Sequence, residues 1–269
     1  LYLKRLVVGG SGPVYELGRD FRNEGADATH NPEFTVLEAY RPYADYVQMR
    51  ELTEHLIKDA ARAVFGSVSL PLGRKASNER TVSDVSGPWR VVPVCDALSE
   101  ALGRRVDIQT DFEELLALAQ QHGVRVHEGM GPGAVVEELY GELVEAHTVE
   151  PTFYTDFPAE TSPLAAPHRS IPGLAERWDL VINGMEMGCA YSELADPLVQ
   201  RERLTEQSLK AASGDLEAME VDEDFLYALE TGMPPTGGLG LGVDRLVMLL
   251  AQTQIRGVLS FPFVKPERS

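Results

Sequence analysis

The sequence predicts an α+β domain built on a mostly antiparallel sheet flanked by helices, with a helical insertion. Three observations lead there: an early hairpin-like pair of strands, long excursions between strands, and a late group of strands closed by a glycine-rich run and a helix. The opening LYLKRLVVGG reads as an amphipathic helix stopped by glycine. Val14 to Arg19 and Phe34 to Tyr40 read as strands joined by a long polar tip, which makes a hairpin. Tyr46, Met49, Leu52, Leu56, Ala60 and Ala63 recur at helical spacing, so Ala44 to Phe65 is expected to be one helix burying those side chains.

Gly66 to Gly87 is rich in glycine, serine and charge without sustained periodicity, and is expected to be a mobile connection. A short strand, WRVVPV, then leads into helical patterns (DFEELLALAQQHG, GAVVEELYGELVEA), giving a helical insertion over residues 88–150. Strand signals return at FYTDFPAE, WDLVING and MEMGCAYSEL. A polar helix is expected over Pro197 to Ala212, a short one near Asp224 to Glu230, and a last one in GGLGLGVDRLVMLLAQ.

Composition narrows the function classes. Hydrophobic residues make up 43% of the 269, enough to exclude a disordered chain, and no apolar run approaches the ~20 residues that span a bilayer. Two distant cysteines, Cys95 and Cys189, argue against a disulfide framework or a thiolate zinc site and fit a cytoplasmic protein. A formal net charge of −18 argues against a broad nucleic-acid footprint, which needs clustered Lys and Arg.

Chemistry concentrates in three places. In FRNEGADATHNPEFTVLEAY, Arg22 and Glu24 share a strand face, as do Glu38 and Tyr40; burying that face requires each charge to be paired. Taken alone, the stretch fits an exposed hairpin with surface salt bridges better than it fits a site. WDLVINGMEMGCAYSEL repeats the pattern with Asp179, Glu186 and Glu193; Asp179 and Glu186 could reach one hard cation through oxygen ligands. GGLGLGVDRL has Val243 where the dinucleotide fingerprint needs its third glycine, so that reading fails. Its glycines permit close approach or positive φ, and Arg245 in the first helical turn opposes the helix dipole, so it requires an anionic or π-faced partner.

Together these blocks resemble a known family. FRNEG…HNPEFTVLEAY is similar to motif 2 of the class II aminoacyl-tRNA synthetases and GGLGLGVDRLVMLL to their motif 3, while GMEMGCAYSEL and PTFYTDFPAETSPLA point to the lysyl-tRNA synthetase subgroup. WDLVINGMEMGCAYSELADPLVQRERL and MPPTGGLG look most like the synthetase domain of actinobacterial bifunctional proteins that join lysyl-tRNA synthetase to a membrane phosphatidylglycerol lysyltransferase. The resemblance implies a catalytic domain over residues 1–269 that activates L-lysine with ATP and Mg2+ and transfers it to tRNA(Lys).

It also implies roles. Arg22 and Arg245 would be catalytic, Arg22 binding both the α-phosphate and the lysine carboxylate. Glu24 would take the adenine amino group, His30 the γ-phosphate, and Phe34 and Arg245 would sandwich the adenine, with Asn31 in the same ATP site. Glu38, Tyr40 and Glu193 would hold the ε-ammonium, Tyr191 the aliphatic stem, and Asp179 and Glu186 the magnesium. Cys189 stands where the family has Asn, and a thiol is the weaker donor for the lysine carboxylate.

In the family, motif 1, which builds a homodimer, and the anticodon-binding OB-fold precede the position of Leu1. The chain is therefore expected to be N-terminally truncated, with tRNA reached through the upstream domain. Transfer of lysine to a protein, as in the elongation factor P ligases, and a non-catalytic synthetase-like binding domain are the alternatives.

Overall fold

The computed structural model describes residues 1–22, 28–73, 81–212 and 220–263. Helix α1 (Tyr2–Val8) buries Leu3, Lys4 and Val7 and ends where the Gly9 amide donates to the Arg5 carbonyl. Strands β1 (Val14–Phe21) and β2 (Glu33–Pro42) pair antiparallel, with Glu38 opposite Glu16. Helix α2 (Tyr46–Phe65) starts at a reciprocal cap: the Asp45 side chain accepts from the Val47 and Gln48 amides, and Gln48 accepts from the Asp45 amide. It stops at Gly66, whose φ of 72° favours glycine.

The buried stripe of α2 is Met49, Thr53, Ile57 and Ala61, one residue round from the expected stripe. Tyr46, Leu56 and Ala60 still pack against the core, whereas Leu52 is 39% exposed and Ala63 is exposed. Thr53 is accommodated by donating to the Met49 carbonyl, so a polar residue sits on the buried line.

The 66–87 connection is also more structured than expected. Strands β3 (Ser69–Leu72) and β4 (Thr81–Asp84) form a separate two-stranded sheet. Leu70, Leu72 and Val85 are buried in the main core, and the Asn183 side chain bonds the Gly73 amide and Pro71 carbonyl. Residues 74–80 lie outside the described residues.

Strand β5 (Arg90–Pro93) precedes helices α3 (Val94–Leu102), α4 (Phe112–His122) and α5 (Pro132–Leu143), and then come β6 (Thr152–Thr155), β7 (Arg177–Ile182) and β8 (Met185–Ser192). The chain continues through α6 (Pro197–Ala212), α7 (Glu223–Thr231), β9 (Thr236–Gly242), α8 (Val243–Ala251) and the short α9 (Ile255–Val258). The large sheet has seven strands in the order β1-β2-β9-β8-β7-β6-β5, antiparallel throughout except for the parallel β5–β6 pair.

Three packed groups surround this sheet. Helices α2 and α8 cover one face, with Met49, Ile57, Trp178, Leu180, Met187 and Leu249 in the core between them. Helices α3–α5 form a second group with Tyr154, Phe157 and Val181. A third joins Leu3 and Val7 of α1 to Tyr40, Leu204, Phe225 and Leu229, and so walls one end of the open face of β2, β9 and β8.

The observed phase of α2 predicts unequal losses. Ile57→Ala should destabilise the fold by about 2–5 kcal/mol and Leu52→Ala by no more than about 0.5 kcal/mol. Denaturant unfolding midpoints measure both, and equal losses would contradict the packing described.

Candidate active site

A cleft of about 600 Å³ lies over β2, β9 and β8. Its floor is set by register: Tyr40, Gly238 and Tyr191 align across the three strands, as do Glu38, Gly240 and Cys189. None of Gly237, Gly238, Gly240 and Gly242 has positive φ, so their contribution is space. A Cβ on Gly238 would lie 1.7 Å from Glu193 Oε1 and 2.8 Å from Tyr40 Cε1; one on Gly237 would lie 2.6 Å from Met49 Cγ on the opposite face. The middle strand is bare so that side chains of its neighbours meet above it.

At one end of the cleft stand Glu38, Tyr40, Tyr191 and Glu193. Tyr40 Oη donates to Glu38 Oε1 at 3.5 Å. Burial raises the Tyr40 pKa, reinforced by the charges of Glu193 and Glu38, so the phenol stays a donor. Glu193 is 5% exposed, and burial raises its pKa while Lys4, ion-paired to its Oε2, opposes that shift. Lys4, itself buried, was not anticipated from the sequence.

The other end carries Arg22, His30, Asn31, Phe34 and Arg245. The Arg22 guanidinium lies 5.4 Å from the Phe34 ring centroid, a cation–π distance. Arg245 finds the partner its position demanded: Nη1 donates to the Glu186 carbonyl at 2.6 Å and lies 3.8 Å from the Glu186 carboxylate, and Nη2 is 3.1 Å from His30 Nε2. Asp244 accepts from the Thr35 amide at 2.7 Å, tying the start of α8 to β2. Asn31 has both amide groups engaged in the fold, donating to the Glu33 carbonyl and accepting from the Phe263 amide. Glu24 lies outside the described residues.

Asp179, Glu186 and Cys189 form a group whose ligand atoms lie within 4.8 Å of one another. Plain alternation would turn Glu186 away from Glu193. A register shift opposite Leu180 and Val181, where Leu180 pairs Gly188 and Val181 pairs Glu186, leaves Met187 as an extra residue and restores Glu186 to the cleft face. Two carboxylates so placed suit a hard divalent cation. Asp179 does not line the cleft; Arg177 grips it with two hydrogen bonds, Nε to Oδ1 at 3.0 Å and Nη2 to Oδ2 at 2.7 Å.

Arg177 also donates to Glu137 of α5 at 2.9 Å and stacks 4.0 Å from the Phe157 centroid, linking α5 to the acidic group. Burial, then Glu186 and Asp179, pushes the Cys189 thiol up to about 12, so it is neutral at pH 7 and lies 3.3 Å from Tyr191 Oη. Glu145, in the turn following α5, is pushed up to about 7 by burial and by the charges of Glu186 and Asp179. Arg177 had a sequence signal, sharing a strand face with Asp179; Glu145 had none.

Residues 1–265 match the family described as tRNA synthetases class II (D, K and N). The chain belongs to that family. Within it, the chain is 56% identical over 266 residues to a "Lysylphosphatidylglycerol biosynthesis bifunctional protein LysX" of Mycolicibacterium gilvum. It is 55% identical over 267 residues to the protein of that name in Nocardia farcinica, and 54% identical over 275 residues to the one in Mycobacterium tuberculosis H37Rv. These alignments cover 99% of this chain and 23–24% of the relatives, so it spans about a quarter of their length. The antiparallel sheet with helices on its faces is the class II synthetase arrangement, and no helix among the described residues is long and apolar enough to cross a membrane.

The position of Glu145 in this synthetase domain has a consequence for stability. Its folded pKa of about 7 exceeds the ordinary value of 4.5, so ionisation burdens the fold increasingly from pH 4.5 upward and fully above 7. In EDTA, Glu145→Gln should raise Tm above pH 7, by about 2–4 °C for each kcal/mol recovered, and leave it unchanged near pH 4.5. Thermal unfolding across that range checks the sign.

Proposed function

We propose that this domain activates L-lysine with ATP, giving lysyl-adenylate and pyrophosphate, and passes the lysyl group to tRNA(Lys). The observation that carries the reading is the polarity of a single cleft: Glu38, Tyr40 and Glu193 at one end, Arg22 and Arg245 at the other. A lysine laid along it would set its ε-ammonium between the two carboxylates and its carboxylate near Arg22. A shorter or uncharged side chain would leave buried charge unpaired, which is the basis of selectivity.

The lysine carboxylate is already ionised at pH 7, so no general base is required. Arg22 would neutralise charge gathering on the α-phosphate during in-line attack, and catalysis rests on positioning and charge stabilisation. Phe34 and Arg245 would hold the adenine, with Glu24 at its amino group, and His30 would meet the γ-phosphate, assisted by Asn31. Tyr191 would lie along the lysine stem. Cys189, a neutral thiol, would offer the lysine carboxylate only a weak donor. Asp179 and Glu186 would hold Mg2+, which neutralises phosphate charge when bound; Arg177 now balances Asp179 and would have to share it.

The names of the relatives, which concern lysylphosphatidylglycerol biosynthesis, support lysine as the amino acid; in the whole protein, lysyl-tRNA would pass to a fused membrane lysyltransferase domain. A homodimer, and tRNA contacts made by an upstream domain, complete the reading. The domain itself would work on the cytoplasmic side.

Lysine-dependent exchange of pyrophosphate into ATP tests the reading. Glu193→Ala should lower kcat/KM for lysine by about 100-fold or more, roughly 2.7 kcal/mol of transition-state stabilisation, while the KM for ATP changes little. Unaltered exchange in that variant would rule out the assigned slot.

A further inference from the structure

The lysine end of the cleft contains a lysine of its own. Lys4 is 3% exposed, and its Nζ ion-pairs with Glu193 Oε2. The ammonium lies 5.8 Å from the Tyr40 ring centroid and 5.9 Å from that of Phe225, so aromatic faces cover much of it. Its neighbours Leu3 and Val7 anchor α1 in the apolar group formed with α6 and α7, which fixes the height of the ammonium in the wall. On its other side Glu193 has room because Gly238 lacks a Cβ, whose volume its Oε1 occupies.

Charge arithmetic gives this pair a function. Two facing carboxylates carry −2, but a single substrate ε-ammonium supplies +1. Lys4 brings the empty slot to −1, the charge that one ammonium neutralises. Glu38 forms no ion pair with the described residues, and so remains available to the incoming group.

Resting on the lysine-activating reading, we propose that Lys4 is a positioning residue for specificity: it holds the Glu193 carboxylate charged and oriented before substrate arrives. Without it, Glu193 would be buried beside Glu38 with no cation from α1, and a buried carboxylate so placed takes up a proton. The groups facing Glu193 are Lys4 from α1, Glu38 and Tyr40 from β2, and Cys189 and Tyr191 from β8. The β9 segment TGGLGLG contributes no titratable side chain. Lys4 is thus the side chain placed to keep Glu193 ionised in the empty site. Lysine binding to a variant lacking this cation would have to expel the proton from Glu193, and its affinity would then depend on pH.

The experiment is pyrophosphate exchange by the full chain between pH 6 and pH 8, with Lys4→Met, Lys4→Gln and Lys4→Arg beside the parent. The parent should keep a KM for lysine that varies little over this range. In Lys4→Met and Lys4→Gln it should fall as pH rises, by up to about tenfold per pH unit, the limit for one proton. The KM for ATP should not follow. Lys4→Arg should restore the flat profile, and adding Glu193→Gln to Lys4→Met should abolish the pH dependence by removing the titrating group.

A merely structural lysine would alter Tm or the amount of active protein without moving this profile. Lys4→Gln keeps a donor for Glu193 and decides the matter if Lys4→Met does not fold. Flat profiles in the charge-removing variants, with lysine-dependent exchange intact in the parent, would overturn the role of Lys4 alone. No lysine-dependent exchange in the parent would overturn the underlying reading as well.

Discussion

The cleft depends on one steric constraint: the strand running through its middle carries no side chain where its neighbours must meet. Gly238 lies between Tyr40 and Tyr191 in register, and the space above it is filled by the Glu193 carboxylate and the Tyr40 ring. The same strand is tight on its other side, where Gly237 lies against Met49 of α2. Strand β9 is thus compressed from above by the polar slot and from below by the core, and only glycine satisfies both at adjacent positions. Burying a carboxylate at such close quarters is tolerable because α1 brings a cation to it.

Around that constraint, charge is separated along a short distance. Glu38 and Glu193 make one end of the cleft acidic; Arg22 and Arg245 make the other basic, with Glu186 beside Arg245. The Glu186 carboxyl is raised by burial and by Asp179, and is opposed by Arg245, Arg177 and Arg22. In the proposed reaction this separation orients lysine with its ε-ammonium and its carboxylate at opposite poles.

Elements that carry a strong local pattern were legible in the sequence. The hairpin, the α2 segment, the late strands and the last helix all reflect alternation, helical spacing or glycine punctuation. The phase of α2 was not, because Leu52 suits a buried stripe better than Thr53 does, and only packing against the core decides between them. The β3–β4 hairpin was hidden by composition, since its polar link obscures the few buried residues, Leu70 and Leu72, that seat it.

Within the cleft, the lining residues gathered in motifs were legible in the sequence, and those reaching them from outside the motifs were not. Lys4 reaches Glu193 from a different element distant in sequence, and Glu145 approaches Glu186 from the turn after α5. The Met187 bulge, which turns Glu186 into the cleft, has no signature in GMEMGCAYSEL and follows from pairing with β7. The glycines of β9 were legible as sites of close approach, but which groups approach is a property of β2 and β8.

Gly238→Ala tests the central claim most directly. Its methyl group would enter the volume of the Glu193 carboxylate and the Tyr40 ring while leaving the arginine end untouched. The account predicts a folded protein that binds ATP in calorimetry as the parent does but loses lysine-dependent pyrophosphate exchange by about 100-fold or more in kcat/KM. Lysine activation at the parental rate by Gly238→Ala would contradict it.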